Sequence, residues 1–248
     1  MIRRGPVTAG KVGASKAARR AGGKAVGAPA TGLTGFSLDA SEAAGRTAFA
    51  ALTKTRSTFP GFAGGAALNL KRLAPETAAL NHLDHALASD AVKKFARPRI
   101  GTAASAFQSL GAEAIPLTGT TVVKFRQAFN KIPVYGSLVT VELDQDNECL
   151  AINSTLGTPA GVNHVAKVSP ADAMKVAAKC AGQSIRDLNQ TPRLYYYFDQ
   201  DGKRWRLAYI IEDVVQRRPK VLPEGRSDAA RKDYVVDANS GRLLAELP

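Results

Sequence analysis

Between Thr121 and Leu138 the chain reads TVVKFRQAFNKIPVYGSL, and this stretch constrains the fold more than any other. Apolar and polar residues alternate with period two, which sends successive side chains to opposite faces of an extended strand. The pattern breaks at Asn130-Lys131 and restarts at Ile132-Pro133-Val134-Tyr135-Gly136, predicting paired strands joined by a short turn. Val123, Phe125, Gln127 and Phe129 fall on one face, Lys124 and Arg126 on the other. A glutamine among aromatic residues is either buried with its amide hydrogen-bonded to backbone or a contact for a partner. Burying it unpaired costs a few kcal/mol, so a backbone partner is expected.

The same reasoning extends along the chain. Val122–Phe129, Val134–Leu143 and Cys149–Asn153 are expected as three strands whose short connections make them antiparallel neighbours, with Pro133 at a strand entry where a missing N–H is tolerated. Residues 154–168 read as a linker. Ser169–Ala181 is the clearest helix, with Ser169 as N-cap, Pro170 at the first helical position, Asp172 in the first turn and Gly182 as the stop. Ala173, Val176, Ala177 and Cys180 follow helical spacing and are its expected core face. Arg193–Phe198 and Arg204–Ile211 flank the turn-rich residues 199–203, with Trp205, Leu207, Tyr209 and Ile211 alternating on one face. After a loop over 216–232, Tyr234–Val236 and Arg242–Leu244 are expected as two further strands. Upstream, residues 1–32 read as a disordered basic leader, and 33–75 as an irregular lead-in with a short helix at Ala43–Leu52. Helices are expected at Thr77–Leu87, through Leu80, Leu83 and Leu87, and at Thr102–Leu110. The fold class is α+β: two antiparallel β-sheet modules, at 76–156 and 167–248, each packed with helices.

Charge narrows the function classes. The formal charge is +13, but residues 1–32 hold seven of the 34 Lys and Arg and no acid. Beyond them 27 basic residues face 21 acidic ones, so about half of the excess belongs to the leader. Such a leader can neutralise phosphates, which keeps a nucleic-acid-binding or envelope-binding role open, but it has no aromatic residue to stack on bases. Arg217, Arg218 and Lys220 form a second small basic cluster that reads as a solvated loop. No run approaches the roughly 18 apolar residues of a membrane span, and no apolar segment of a secretory signal is visible in this chain.

The sequence offers no catalytic constellation. A zinc protease needs two histidines at i and i+4 with a glutamate between them, whereas His82 and His85 are three apart and His164 is the only other histidine. Both read as helix-surface residues. The acidic turns at Asp144–Asn147, Asp199–Gly202 and Asp237–Gly241 lack the spacing of a calcium loop and read as turn chemistry. Gly22-Gly23-Lys24 is not a phosphate loop, and no nucleophile elbow occurs. No metal or cofactor is expected. Cys149 and Cys180 allow one bridge or two free buried thiols, the latter favoured by the expected inward position of Cys180.

Phe125, Gln127, Phe129, Ile132, Pro133, Val134, Tyr135 and Gly136 resemble, position by position, the signature of the fungalysin/thermolysin propeptide (FTP) family. The strand 205–211 and the string VDANSGRLL at 236–244 resemble a PepSY module, which directly follows the first module in the propeptides of thermolysin-like zinc metalloproteases. The resemblance implies a non-catalytic protein, secreted or of the cell envelope, that assists folding of such a protease, inhibits it, or does both. It fits equally the N-terminal part of a larger zymogen. Arg126, Gln127 and Tyr135, and Leu243, Leu244 and Leu247 in the tail that would lead toward a protease cleft, are the residues it offers for partner contact.

Overall fold

A computed structural model describes residues 32–42, 45–46, 70–88, 105–159, 161–216 and 230–248. The leader up to residue 31, most of the Ala43–Leu52 segment and the cluster Arg217, Arg218 and Lys220 lie outside the described residues.

Two antiparallel sheets and two helices make up these residues, a mostly-β or α+β arrangement. The first sheet holds β1 (Leu33–Asp39), β2 (Ser105–Ile115), β3 (Thr120–Phe129), β4 (Ile132–Pro133), β5 (Leu138–Leu143) and β6 (Cys149–Gly157). Its order is β1-β6-β5-β3-β2, with β4 paired to β3. The second sheet is a meander of β7 (Arg193–Asp199), β8 (Arg204–Val215), β9 (Arg231–Asp237) and β10 (Leu243–Leu247), ordered β10-β9-β8-β7.

The alternation in β3 is realised: Val123, Phe125 and Gln127 are buried, while Lys124 is exposed. Asn130 and Lys131 adopt φ of 49° and 66°, the left-handed pair that lets a two-residue turn match the twist of its flanking strands. The expected strand Val134–Leu143 starts only at Leu138. Val134 N–H still donates to Gln127 O at 2.8 Å, but Gly136 at φ 75° then turns the chain out of the first sheet. Tyr135 N–H is thereby free to donate to Tyr196 O of the second sheet at 2.9 Å. Ser137 Oγ secures this excursion, accepting from Gln127 N–H at 3.1 Å and donating to Val134 O at 2.7 Å.

Three other expectations are corrected. Ser105–Ile115 is a strand, not part of a helix at Thr102–Leu110, because pairing along β3 overrides the helix propensity of an alanine-rich segment. A bulge between Ser109 and Gly111 leaves Leu110 out of the ladder. The lead-in contributes β1, which pairs with β6 from Leu33↔Gly157 to Asp39↔Ala151. The linker is shorter than expected because β6 runs on to Gly157.

Helix α1 (Pro75–Ala88) buries Ala78, Ala79, His82, Leu83 and Ala86, so its inward stripe is rotated from the expected Leu80–Leu83–Leu87 line. Those apolar residues share one core cluster with Phe36, Leu38, Val123, Phe125, Val141, Ile152 and Leu156. His82 is therefore not a surface residue; it is 1% exposed. Helix α2 (Pro170–Ala181) has the expected termini, with Ser169 Oγ accepting from Asp172 N–H at 3.1 Å and Gly182 at φ 67°. Its buried residues are Ala173, Met174, Ala177, Ala178 and Ala181, clustered with Tyr196, Leu207, Tyr209, Ile211, Tyr234 and Val236 of the second sheet. Cys180 is exposed rather than inward, and both cysteines are free. An almost all-alanine stripe has little side-chain bulk to hold it off the sheet, and it outcompetes the Val176–Cys180 phase.

His82 Nε2 lies 2.9 Å from Asn147 O, so that nitrogen carries the proton in the neutral ring. Burial holds the His82 pKa below its usual value, outweighing the pull of the Asn147 carbonyl, Glu148 and Asp144 in the other direction; His85 adds to the depression. The unfolded chain therefore takes up this proton first. Stability supplied here is complete above about pH 6.5 and falls on acidification by at most about 1.4 kcal/mol per pH unit until the folded ring also protonates. Urea titrations at pH 7.5 and 5.5 should show this loss in the wild type and a smaller one in His82→Gln, whose amide can still donate to Asn147 O.

Candidate partner-binding junction

Of the residues that carry the signature at 125–136, Gln127, Phe129, Ile132, Val134 and Tyr135 gather at the seam between the two sheets, while Phe125 lies in the core under α1. Gln127 is 1% exposed, and its amide closes a reciprocal pair with Gly157: Nε2–H donates to Gly157 O at 3.0 Å, and Oε1 accepts from Gly157 N–H at 2.8 Å. Of the two readings of this glutamine, the buried one with a backbone partner is the one observed. Its amide takes the place of a peptide unit at the end of β6. Gly157 has no room for a side chain, since a Cβ there would lie 2.5 Å from Trp205 Cη2 and 2.8 Å from Val134 Cγ1. The indole of the second sheet thus rests directly on backbone of the first.

Around this bracket four further signature residues, Phe129, Ile132, Val134 and Tyr135, cross the seam. Phe129 meets the Tyr196 ring edge-on at 6.0 Å, and Val134 forms a parallel bridge with Tyr196. Ile132 and Val134 join the cluster beneath α2. Tyr135 passes to the opposite face of the second sheet, with its ring 5.8 Å from those of both Tyr195 and Tyr197. Burial first, then Asp233 and Glu212, raises the pKa of its phenol and keeps it neutral.

Leu244 and Leu247 are half-buried in that same cluster with Tyr135, whereas Leu243 packs on the α2 side. The tail is not a free extension: Leu243–Leu247 is β10, paired with β9 from Leu243↔Val236 to Leu247↔Asp233. Arg126 stands apart from the seam. The register runs Phe125↔Val139 and Leu138↔Thr155, so one position beyond Phe125 it sits beside Leu138 on the outer face, opposite Gln108 of β2. It is half-buried there, and no ion pair engages it among the described residues, while Lys124 on the same face is bound to Glu113 at 3.0 Å. Beside Leu138, a shallow depression of about 200 Å³ is lined by Ser37, Thr140, Asn153 and Thr155.

The second sheet is tied electrostatically at its turns. Arg206 Nε donates to Asp199 Oδ2 at 2.6 Å and Arg206 Nη1 to Asp237 Oδ2 at 2.7 Å. Each aspartate spends its other oxygen on its own turn: Asp199 Oδ1 on Gly202 N–H at 3.0 Å, Asp237 Oδ1 on Asn239 and Ser240 N–H at 2.8 and 2.9 Å. The Gly202 amide holds the Asp199 pKa below the usual carboxylate value, with Arg206 helping against the opposing effect of burial. For Asp237 burial pushes up most strongly, but the two amides and Arg206 together prevail and its pKa is lowered. Asp144 likewise accepts from Asp146 and Glu148 N–H, so all three calcium-like turns are closed by their own carboxylates. Among the described residues no group of three or more His, Cys, Asp or Glu is arranged to hold a metal. Burial pushes the Cys149 thiol up to about 12, which keeps it protonated. Among the described residues, no helix is long and apolar enough to cross a membrane.

Against known proteins, residues 107–156 match the Fungalysin/Thermolysin Propeptide Motif, a non-catalytic motif of secreted proteases that associates with thermolysin-like enzymes. No curated protein matches the chain. The matched stretch spans most of β2 and then β3 through β6, nearly the whole first sheet apart from β1. The class defined here is a two-sheet protein whose first sheet carries a propeptide motif, with the motif's signature turned toward the second sheet. Sequence reasoning found the signature but not its receptors Gly157, Tyr195, Tyr196, Tyr197 and Trp205. The run Tyr195-Tyr196-Tyr197 was the available signal, because three consecutive aromatics on a strand supply rings to both faces.

Two substitutions test the seam. Gln127→Leu strands the Gly157 N–H and C=O, and should cost about 2–4 kcal/mol in denaturant unfolding. Gly157→Ala should cost about 1–3 kcal/mol by overpacking against Trp205. The Asp199–Arg206–Asp237 tie has its own signature: both carboxylates are depressed, so their stability is present above about pH 4 and lost as pH falls through their folded values. Arg206→Met should flatten unfolding free energy against pH between about 4 and 2 relative to the wild type.

Proposed function

We propose that this chain is a non-catalytic, propeptide-like protein that docks on a thermolysin-like zinc metalloprotease, assists its folding and blocks its cleft. The single observation that carries this reading is the propeptide motif at 107–156. The seam supports it, because a preassembled pair of sheets offers a protease a rigid surface without the cost of ordering it on contact. The second sheet, α2 followed by an antiparallel meander with a tight Asp237–Gly241 turn, is our candidate PepSY module.

Within that reading the contact residues are Arg126, free to meet a carboxylate, Tyr135, and Leu243, Leu244 and Leu247 on β10. Gln127 acts from within, by holding the junction in shape. An inhibitory complex of this kind buries about 1,200–2,000 Å² in total. The protease is reached in trans or, within a longer secreted or envelope zymogen, in cis.

The test is titration of the purified chain into a mature thermolysin-like protease and into the same enzyme diluted from denaturant. Residual activity should fall as a saturable function of added chain, and the refolding yield should rise. Arg126→Ala should weaken inhibition about tenfold without changing the unfolding midpoint. A chain that alters neither activity nor refolding yield sinks the proposal, as does peptide hydrolysis by the chain alone.

A further inference from the structure

One turn holds α1 at three points. The residues between β5 and β6 close on themselves through Asp144, and Asn147 takes a left-handed φ of 61° that an asparagine tolerates. From there Asn147 works in two directions. Its Nδ2–H donates to Leu73 O at 3.2 Å, and its carbonyl accepts from His82 Nε2–H at 2.9 Å. Asp146 adds an exposed ion pair to Lys71 at 2.7 Å. The apolar hold of α1 on the sheet is modest by comparison. Its buried residues are three alanines, Leu83 and His82, with Leu80 and Leu87 at the margin. After Leu83 the imidazole is the largest side chain that the helix buries. The strands beneath are held independently: β3 and β5 each lie between paired neighbours, and the Gln127–Gly157 bracket ties β3 to the end of β6.

His82 has one acceptor for two ring nitrogens. Nδ1 is buried with no hydrogen-bond partner among the described residues. A neutral ring leaves only a bare acceptor there, whereas a protonated ring places a charged N–H donor against nothing. Few groups around the ring can answer it. α1 brings His85, the turn brings Asp144 and Glu148, and β6 brings the Cys149 thiol to the cluster under the helix; β1, β2, β3 and β5 present apolar side chains there, among them Phe36, Phe107, Val123 and Val141. Asp144 Oδ1 is already spent on the N–H groups of Asp146 and Glu148. We infer that α1 is an acid-released cover: on mild acidification His82 takes up a second proton by leaving its buried seat, and the helix lifts from the first sheet while the strands stay paired. The effect of burial on the ring, which outweighs the pull of both carboxylates, acts in the same sense. What the helix uncovers is the apolar face of Val123, Phe125, Val141 and Ile152. The acid loss of stability thus falls on one element before the rest. The device belongs to the chain alone and does not depend on a protease partner.

Native-state hydrogen exchange on the full chain in sub-denaturing urea tests it. The α1 amides should exchange through an opening with a weaker urea dependence than that of the β3 and β5 amides, because only part of the buried surface is exposed. Between pH 7.5 and 5.5 that opening should become about tenfold more favourable, the limit set by a histidine that is charged only when released. His82→Gln, whose amide still donates to Asn147 O, should abolish the pH response, and His85→Gln should keep it. The wild-type measurement decides by itself if either variant fails to fold. An α1 that opens only with the whole molecule overturns the inference. So does an α1 opening indifferent to pH in this range, or a pH response that survives His82→Gln or is lost with His85→Gln.

Discussion

The architecture depends on one glutamine amide bound to one backbone. Gln127 and Gly157 exchange two hydrogen bonds in a place too narrow for any side chain on residue 157. Because Gly157 ends β6 and Trp205 rests against it, the bracket fixes the end of the first sheet and the floor beneath the second at once. Everything else in the seam is local to that point. The Asn130-Lys131 turn returns the chain beside β3, Gly136 ejects it, and Val134 and Tyr135 land on Tyr196. A buried amide fully met by backbone costs little, while the same amide left open would cost several kcal/mol, so the geometry discriminates sharply against alternatives.

The second sheet solves a different problem with charge. Asp199 ends β7 and Asp237 ends β9, on either side of β8, and both reach Arg206 in the strand between them. Each carboxylate divides its oxygens between a turn and the guanidinium. Two successive hairpins are therefore held in register by one cation whose donors are matched to fixed acceptors. Removing one partner from such a group is more damaging than its net contribution suggests, because it leaves a desolvated charge behind. Among the described residues the first sheet has no equivalent tie; its register comes from the apolar face that α1 shares with β1, β3, β5 and β6.

What the sequence shows clearly is what local physics decides. The β3 alternation, the Ser169 cap and Gly182 stop of α2, the turn at 199–203 and the inward Gln127 all follow from nearest neighbours and period. What it conceals is decided at a distance. The segment around Phe107 has helix-forming neighbours and becomes a strand only because β3 offers it a ladder; β1 waits for β6, more than a hundred residues later. Helix phase is the third blind spot. In α2 both Val176–Cys180 and Met174–Ala178 satisfy helical spacing, and the choice falls to the side with less bulk, which only the opposing sheet can reveal. His82 reads from sequence as a helix-surface residue for a similar reason: its partner is a carbonyl in a turn sixty-five residues away.

The placement of the propeptide signature changes what its residues can be asked to do. A motif that acted by touching a protease would keep its polar and aromatic members on the surface. Here Phe125, Gln127, Phe129 and Val134 are spent on the interior and on the second sheet, while on the outer face of β3 Lys124 is paired with Glu113 and Arg126 meets no ion-pair partner among the described residues. The signature thus serves to join the two sheets. Rigidity gains most from fixing the seam, where each buried contact constrains two sheets together. Residues on the open faces can vary at little cost to the fold, since exposed substitutions seldom shift stability by more than about 0.5 kcal/mol.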